Sequence, residues 1–228
     1  MSAQFIAEAD AVATVSSTSI TTPALGFPAQ VGDRILVFNV LDSTATSVTD
    51  NLGTVYTVDL TPIQGPADQV WSGVVTVAGT PTVTVHMPSG TGNLMACIYR
   101  GLSTATGAGA AVDVSAIASG TSGSPGPTAT TAATSGANEL VIGLEKNGGA
   151  AGASTAGTGY VLRGDNFSWY RTVWEDNLNS GPAGVAQSAN TNSPAGVTGT
   201  YQVCIVYKLA SDRLYVQPFP RISGLGVG

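Results

Sequence analysis

The sequence predicts an all-β protein: an antiparallel β-sandwich of jelly-roll type, built from two pseudo-repeated halves and followed by an extended C-terminal arm. Three observations lead to this fold class. Short segments of alternating apolar and polar residues recur along the chain and are separated by Gly, Pro, Asn and Asp. Helical periodicity is almost absent. In addition, four sequence motifs occur twice in the same order, at spacings of 103 to 107 residues.

The predicted strands follow from the apolar pattern. In the clearest one, 81–87, Val83 and Val85 alternate with threonines, so the valines face one way. The segment 34–41 is apolar at almost every position, which predicts a central strand covered on both faces. Further strands are predicted at 12–22, 70–78, 94–100, 139–145, 168–175 and 201–208.

The internal repeat divides the chain into halves at about 30–102 and 137–208. The motifs at 32–37, 53–56, 70–71 and 91–98 return at 138–142, 157–160, 173–174 and 198–205. Two copies are too few for a solenoid. They fit two Greek-key halves of one jelly roll spanning 1–210, or two tandem sandwiches. The Gly-, Ala-, Ser- and Thr-rich stretch 101–126 is then a crossover or a linker.

The two cysteines, Cys97 and Cys204, occupy equivalent places in this repeat. Two states are open. Buried free thiols are expected in a protein made in a cytosol. A disulfide would require the two strands to be neighbours, with Cα atoms less than about 7 Å apart.

The last segment, 211–228, departs from the sandwich pattern. Pro218 and Pro220 disfavour a central strand, and three late glycines disfavour a helix. An arm this apolar should dock, either on its own sandwich or, as we favour, on a neighbouring subunit. Its contact residues would be Leu214, Tyr215, Phe219, Ile222 and Leu225.

Charge narrows the classes of function. Only 10% of the residues are charged, against roughly 25% in ordinary soluble domains, which favours a surface covered by neighbouring subunits. The net charge of −6 and the scattered Lys and Arg residues argue against nucleic-acid binding. No apolar run is long enough for a membrane span, and the N-terminus does not resemble a signal peptide. We therefore expect synthesis and folding in a cytosol.

Residues for catalysis or metal binding are sparse. The single histidine, His86, is predicted to lie among threonines on a polar strand face, without a partner acid or nucleophile. Four carboxylates could pair across strands, but such pairs arise readily by chance; they are Glu145, Asp165, Glu175 and Asp176. We expect no enzyme activity, no cofactor and no metal site.

Aromatic residues offer one alternative site. Trp169, Tyr170 and Trp174, with Trp71, could form a platform on which sugar rings stack. Core packing or subunit contact is the competing interpretation, and adjacent Trp169 and Tyr170 must face opposite sides of a strand.

Several of these segments together resemble a β-sandwich module of phage and prophage structural proteins. The segments are Gly-Asp-x-Ile-Leu-Val-Phe at 32–38, Asp-Asn-x-Gly-x-x-Tyr-Thr-Val at 50–58, the Trp-containing strand at 70–77, Thr-Val-Thr-Val at 82–85 and the strand ending in Tyr-Arg-Gly-Leu at 94–102. Asn-Glu-Leu-Val-Ile-Gly at 138–143 and Gly-Tyr-x-Leu-Arg at 159–163 match the module's second half. The motifs are structural, so no functional residues carry over.

The resemblance implies a place in a virion. We expect a phage structural protein, most simply a decoration protein on the head surface that is made in the host cytoplasm. Its partners would be copies of itself, in a trimer or another homo-oligomer, and other virion proteins such as the major capsid protein. The alternative is a tail-fibre or receptor-binding module that recognises host glycans.

Overall fold

The computed structural model describes residues 2–61, 67–120, 127–148, 152–167, 170–192 and 200–211. These residues form thirteen β-strands and no helix. The strands are β1 (Gln4–Thr21), β2 (Arg34–Leu41), β3 (Ser47–Asp50), β4 (Tyr56–Leu60), β5 (Gln69–Val74), β6 (Val83–Arg100), β7 (Val112–Gly120), β8 (Ala129–Ala133), β9 (Leu140–Asn147), β10 (Val161–Phe167), β11 (Arg171–Asn177), β12 (Ala186–Ala189) and β13 (Thr200–Tyr207).

Each repeat builds one antiparallel sheet. The first sheet has the strand order β1-β6-β2-β5-β4, with β3 paired to the beginning of β6. The second has the order β10-β11-β9-β13-β7. Read from β7 to β10, its strands correspond one by one to those of the first sheet read from β1 to β4. Strand β7, in the stretch that the sequence suggested as a crossover or linker, is the counterpart of the first part of β1.

The all-β antiparallel sandwich predicted from the sequence is confirmed. The jelly-roll connection pattern is not confirmed, because each sheet takes all its strands from one repeat and from a strand that precedes that repeat in the chain. The two sheets pack against each other around a central apolar core that contains Leu36, Phe38, Leu144, Trp174 and Tyr201. The duplication is therefore a pair of sheets that share one core.

Each sheet also carries a small outer layer. In the first repeat, residues 17–21 of β1, the beginning of β6 and β3 cover the outer face and enclose a second core that includes Ile35, Val37 and Trp71. In the second repeat, β8 pairs with β12 and covers a smaller core around Val141 and Val206. The described residues thus form four layers, with the two main sheets in the middle.

Polar contacts join the two repeats at the margins of the central core, each with one group from either half. They include the ion pair of Lys146 Nζ with Asp68 Oδ2 at 2.8 Å, the hydrogen bond from Tyr99 Oη to Asp176 Oδ2 at 2.8 Å, and that from Tyr207 Oη to Asp59 Oδ2 at 2.9 Å. Because buried polar groups are costly when unpaired, these contacts favour a single docking arrangement of the sheets.

Strand pairing corrects the predicted equivalence of the cysteines. Arg34 and Leu140 begin β2 and β9, and they pair with Tyr99 and Tyr207. Cys97 lies two residues before Tyr99, whereas Cys204 lies three residues before Tyr207. Because successive side chains of a strand point to opposite faces, this difference of one residue places the two cysteines on opposite faces of their sheets. Accordingly, Cys97 lies in the central core and Cys204 in the outer core of the second repeat.

Both cysteines are buried free thiols, so the first of the two predicted states is confirmed. Burial raises the pKa of the Cys97 thiol well above its usual range and that of Cys204 to about 12. A thiol reacts as its thiolate, so both side chains should be inert in the folded protein.

Alkylation tests this arrangement. Without a reductant, the denatured protein should gain two iodoacetamide adducts, whereas the folded protein should gain them only at the rate of global unfolding. Intact-protein mass spectrometry measures both. A denatured, unreduced chain that takes up no adduct would contain a disulfide and would contradict the described register.

Candidate functional site

The structure describes only some of the residues that the sequence predicts to contact a neighbouring subunit or a glycan. Leu214, Tyr215, Phe219, Ile222 and Leu225 of the arm, and Trp169 of the aromatic platform, lie outside the described residues. The described sandwich ends at Ala210, whose N–H donates to the Gly101 carbonyl at 2.9 Å.

Trp174 cannot contact a glycan, which corrects the predicted platform. Its side chain is fully buried in the central core, and its Nε1 donates to Tyr99 Oη at 3.1 Å. Trp71 is also buried, in the outer core of the first repeat. Tyr170 is half-buried and has Lys146 Nζ 4.2 Å from its ring centroid. Trp71 and Trp174 therefore serve in packing.

His86 lies on the polar strand face that its sequence position predicts. Its Nε2 is 2.9 Å from Thr49 Oγ1, and its strand neighbours are Ser47 and Ser19.

Comparison of the two outer faces locates an unusual polar region in the second repeat. In the first repeat, one cross-strand row consists of Val37, Trp71 and Ala96, and the next contains Asn39 and Leu94. In the second repeat, the row that corresponds to the first of these consists of Gly143, Glu175 and Cys204. The row that corresponds to the next contains Glu145 and Gln202. Glu175 and Gln202 thus replace the apolar residues Trp71 and Leu94, and the carboxylate of Glu145 replaces the amide of Asn39; all three polar residues are fully buried.

The second outer core is correspondingly small. Among the described residues, it holds five buried hydrophobic residues, against eighteen in the outer core of the first repeat. Loss of apolar burial weakens a fold. The outer face of the second repeat therefore has less apolar packing, and its buried polar groups lie at the same place.

Glu175 holds two loops against the sheet. Its Oε2 accepts the Gly157 N–H at 2.7 Å, and the backbone of Asn190 is a second donor to the carboxylate. Gly143 leaves the necessary space, because a Cβ there would lie 2.4 Å from Glu175 Oε1. That oxygen is buried and accepts no hydrogen bond among the described residues.

Burial raises the pKa of Glu175 to about 7, against the opposing effect of its two backbone donors, and the nearby Glu145 carboxylate acts in the same direction as burial. Glu145 Oε2 accepts from the Thr191 hydroxyl, which also lies 3.0 Å from Gln202 Oε1. Beside this group, Arg171 Nη1 forms an ion pair with Asp165 Oδ2 at 2.7 Å.

A cleft of about 450 Å³ opens in front of the Glu175 loops. Its walls come from the loop before β10, from the loop before β8 and from the end of β12 with the residues that follow it. The lining residues are Thr128, Gly157, Thr158, Tyr160, Ser188, Asn190 and Asn192. Apart from Gly157, each of these described lining residues carries an uncharged hydroxyl or amide, and Tyr160 adds an aromatic ring.

This arrangement is suited to binding rather than to acid–base catalysis. A general acid or base must reach the substrate, whereas Glu175 and Glu145 are fully buried and Glu175 is engaged with loop backbone. Within the described residues, no group of three or more His, Cys, Asp or Glu side chains could hold a metal ion. In the same residues, no helix could cross a membrane.

A second carboxyl pair lies at the opposite end of β9. Burial raises the pKa of Glu139 to about 7, and the neighbouring Asp113 acts in the same direction. In the first repeat, the corresponding residue Asp33 instead accepts Arg100 Nε and Nη2, both at 2.8 Å. The second repeat again carries the less fully paired acid.

No protein-family model, no curated protein and no solved structure matches this chain.

Glu175→Gln tests the role of the buried carboxyl. The unfolded chain releases the Glu175 proton near the ordinary pKa of glutamate, and the folded chain holds it until about pH 7. This group therefore contributes stability at low pH that is lost as the pH rises between those values. Glutamine has no such proton, so the variant should show a smaller fall in unfolding free energy from about pH 5 to about pH 7.5.

Urea denaturation at both pH values measures the effect. Thr158→Ser, a cleft variant without a titrating group, is the control and should keep the wild-type difference. An unchanged difference in Glu175→Gln would show that this carboxyl does not hold a proton near neutrality.

Proposed function

We propose that this chain is a structural subunit of a phage particle, a decoration protein that reinforces the head surface as a homo-oligomer. Its partners would be copies of itself and other virion proteins such as the major capsid protein. The motifs shared with phage sandwich modules and the low charge support this assignment. The observation that carries it is the exposed edge of β1.

Strand β1 lies at the end of its sheet and pairs with β6 along one side. From 11 to 21 it contains no charged residue and no proline. Val12 is 38% and Val15 74% exposed. Monomeric proteins usually protect such edges with charge or proline, because an open edge pairs with other chains. A neutral edge is therefore expected where a second copy adds to the sheet, and the part of this edge before the register irregularity that begins after Ala13 is the regular portion of the ladder.

A further apolar surface lies on two adjoining loops of the first repeat. Ala29 and Gly79 join these loops by reciprocal backbone hydrogen bonds at 2.8 and 3.0 Å. Phe27, Val31 and Val77 project from them and are more than half exposed. Exposed apolar groups that cluster are typical of surfaces covered in an assembly.

The fold suits a mechanical role. Two sheets share one core, and the described chain crosses between layers within the long strands β1 and β6. Most of its stability would come from contacts distant in sequence. Multivalent attachment to a regular lattice would then strengthen individually weak contacts.

The tail-fibre alternative relied on Trp169, Tyr170 and Trp174 as an exposed platform. With Trp174 buried in the central core, that platform lacks one of its members, so head decoration is proposed ahead of it.

Val15→Lys tests the β1 edge. A lysine on this edge opposes pairing with a second chain, so the variant should remain folded and lose its assembled form. Size-exclusion chromatography with light scattering should give a multiple of 22.8 kDa for wild type and a value near 22.8 kDa for the variant. Val185→Lys, the same change at another exposed valine, should assemble normally. A wild-type protein that is monomeric at all concentrations would refute the proposal of self-assembly.

The location in a particle gives a separate test. Phage particles that carry this chain should contain it in many copies in the head fraction after heads and tails are separated. Quantitative mass spectrometry of the two fractions measures this. Recovery only with the tails would contradict head decoration, and absence from both would contradict a virion role.

A further inference from the structure

We propose that the cleft of the second repeat binds a neutral saccharide. The inference is independent of the assignment to a phage particle, and it concerns different residues from the aromatic platform. Its first support is the contrast between the repeats: the same strand framework encloses an apolar core in one half and buried polar groups beside an open cleft in the other.

The chemistry of the walls indicates the class of ligand. Hydroxyl and amide side chains can both donate and accept, as the hydroxyl groups of a sugar do. Among the described residues, the lining contains no cationic side chain for an anion and no acidic side chain for a cation. A volume of about 450 Å³ lies in the range of small-ligand sites. A neutral polyhydroxyl compound of one or two rings fits these features best.

One wall presents an unused acceptor. Asn190 Nδ2 donates to Thr128 Oγ1 at 2.9 Å, which orients the amide, and Asn190 Oδ1 is buried without a donor among the described residues. Buried polar atoms are usually satisfied, by protein groups or by bound molecules. A ligand hydroxyl would supply the missing donor once a rotation of the Asn190 amide brings Oδ1 to the surface of the cleft.

The walls are held in place before any ligand binds. Tyr160 Oη donates to the Ser188 carbonyl at 2.9 Å, and Thr155 and Asn192 exchange two backbone hydrogen bonds at 3.0 Å. Glu175 fixes Gly157 from beneath. A preformed site loses little conformational entropy when it binds. Glu175 is thus a positioning residue for the cleft and does not itself contact the ligand.

Saturation-transfer NMR on the full chain tests the proposal. The probes are glucose, galactose, mannose, N-acetylglucosamine and their disaccharides at millimolar concentration. Wild type should transfer saturation to at least one of them. Asn190→Ala, which removes the free acceptor, should weaken binding at least about tenfold. Thr158→Trp, a bulky change at an exposed rim position, should abolish it.

Two controls separate a ligand site from general damage and from the aromatic platform. Val77→Trp, an equally bulky change at an exposed position of the first repeat, and Tyr170→Ala should both bind like wild type. Circular dichroism melts of all variants establish that they are folded. No transfer from wild type to any probe would overturn the proposal. Binding that survives both cleft variants, or that is lost in Tyr170→Ala alone, would overturn it equally.

Discussion

The apolar contact between the two main sheets is the interaction on which the rest of the structure depends. It buries the inner faces of both repeats, including Trp174, Tyr201 and Phe38. Polar groups at its margin then restrict how the sheets can meet. Asp176, for example, is fully buried and accepts both Tyr99 Oη from the other half and Arg163 Nε from its own, each at 2.8 Å. A displaced sheet would take the Tyr99 hydrogen bond away from this buried carboxylate, at a cost of about 1–3 kcal/mol.

Because the two main sheets are held together through their inner faces, their outer faces can differ between the repeats. The first repeat uses its outer face for packing, with Trp71 donating to Asn39 Oδ1 at 2.9 Å. The second places Glu175 at the corresponding position and opens a cleft beside it. The β1 edge and the cleft are thus separate features on one framework. Assembly and ligand binding, if both operate, need not compete for the same residues.

The all-β class, the central position of 34–41 and the internal repeat could be predicted because each depends on local patterns of apolar residues. The pairing of residues between repeats could not. Sequence similarity aligns Cys97 with Cys204 and Trp71 with Trp174, yet strand register places the members of each pair on opposite faces. Polar walls such as Thr158 and Asn190 carry no periodic signal. Gly143, which leaves space for Glu175, stands where the first repeat has Val37. This difference can be recognised in the sequence only once the strand register is known.

The matching strand orders also bear on how such a chain could arise. The first sheet meets the second in reversed order, so that β1 contacts β10 at one edge and Tyr207 reaches Asp59 of β4 at the other. This approximate twofold relation is what a symmetric homodimer becomes when its two polypeptides are fused into one. After fusion, either copy can mutate without the change being imposed on its twin. One half can then keep an apolar outer core while the other carries buried polar groups beside a cleft.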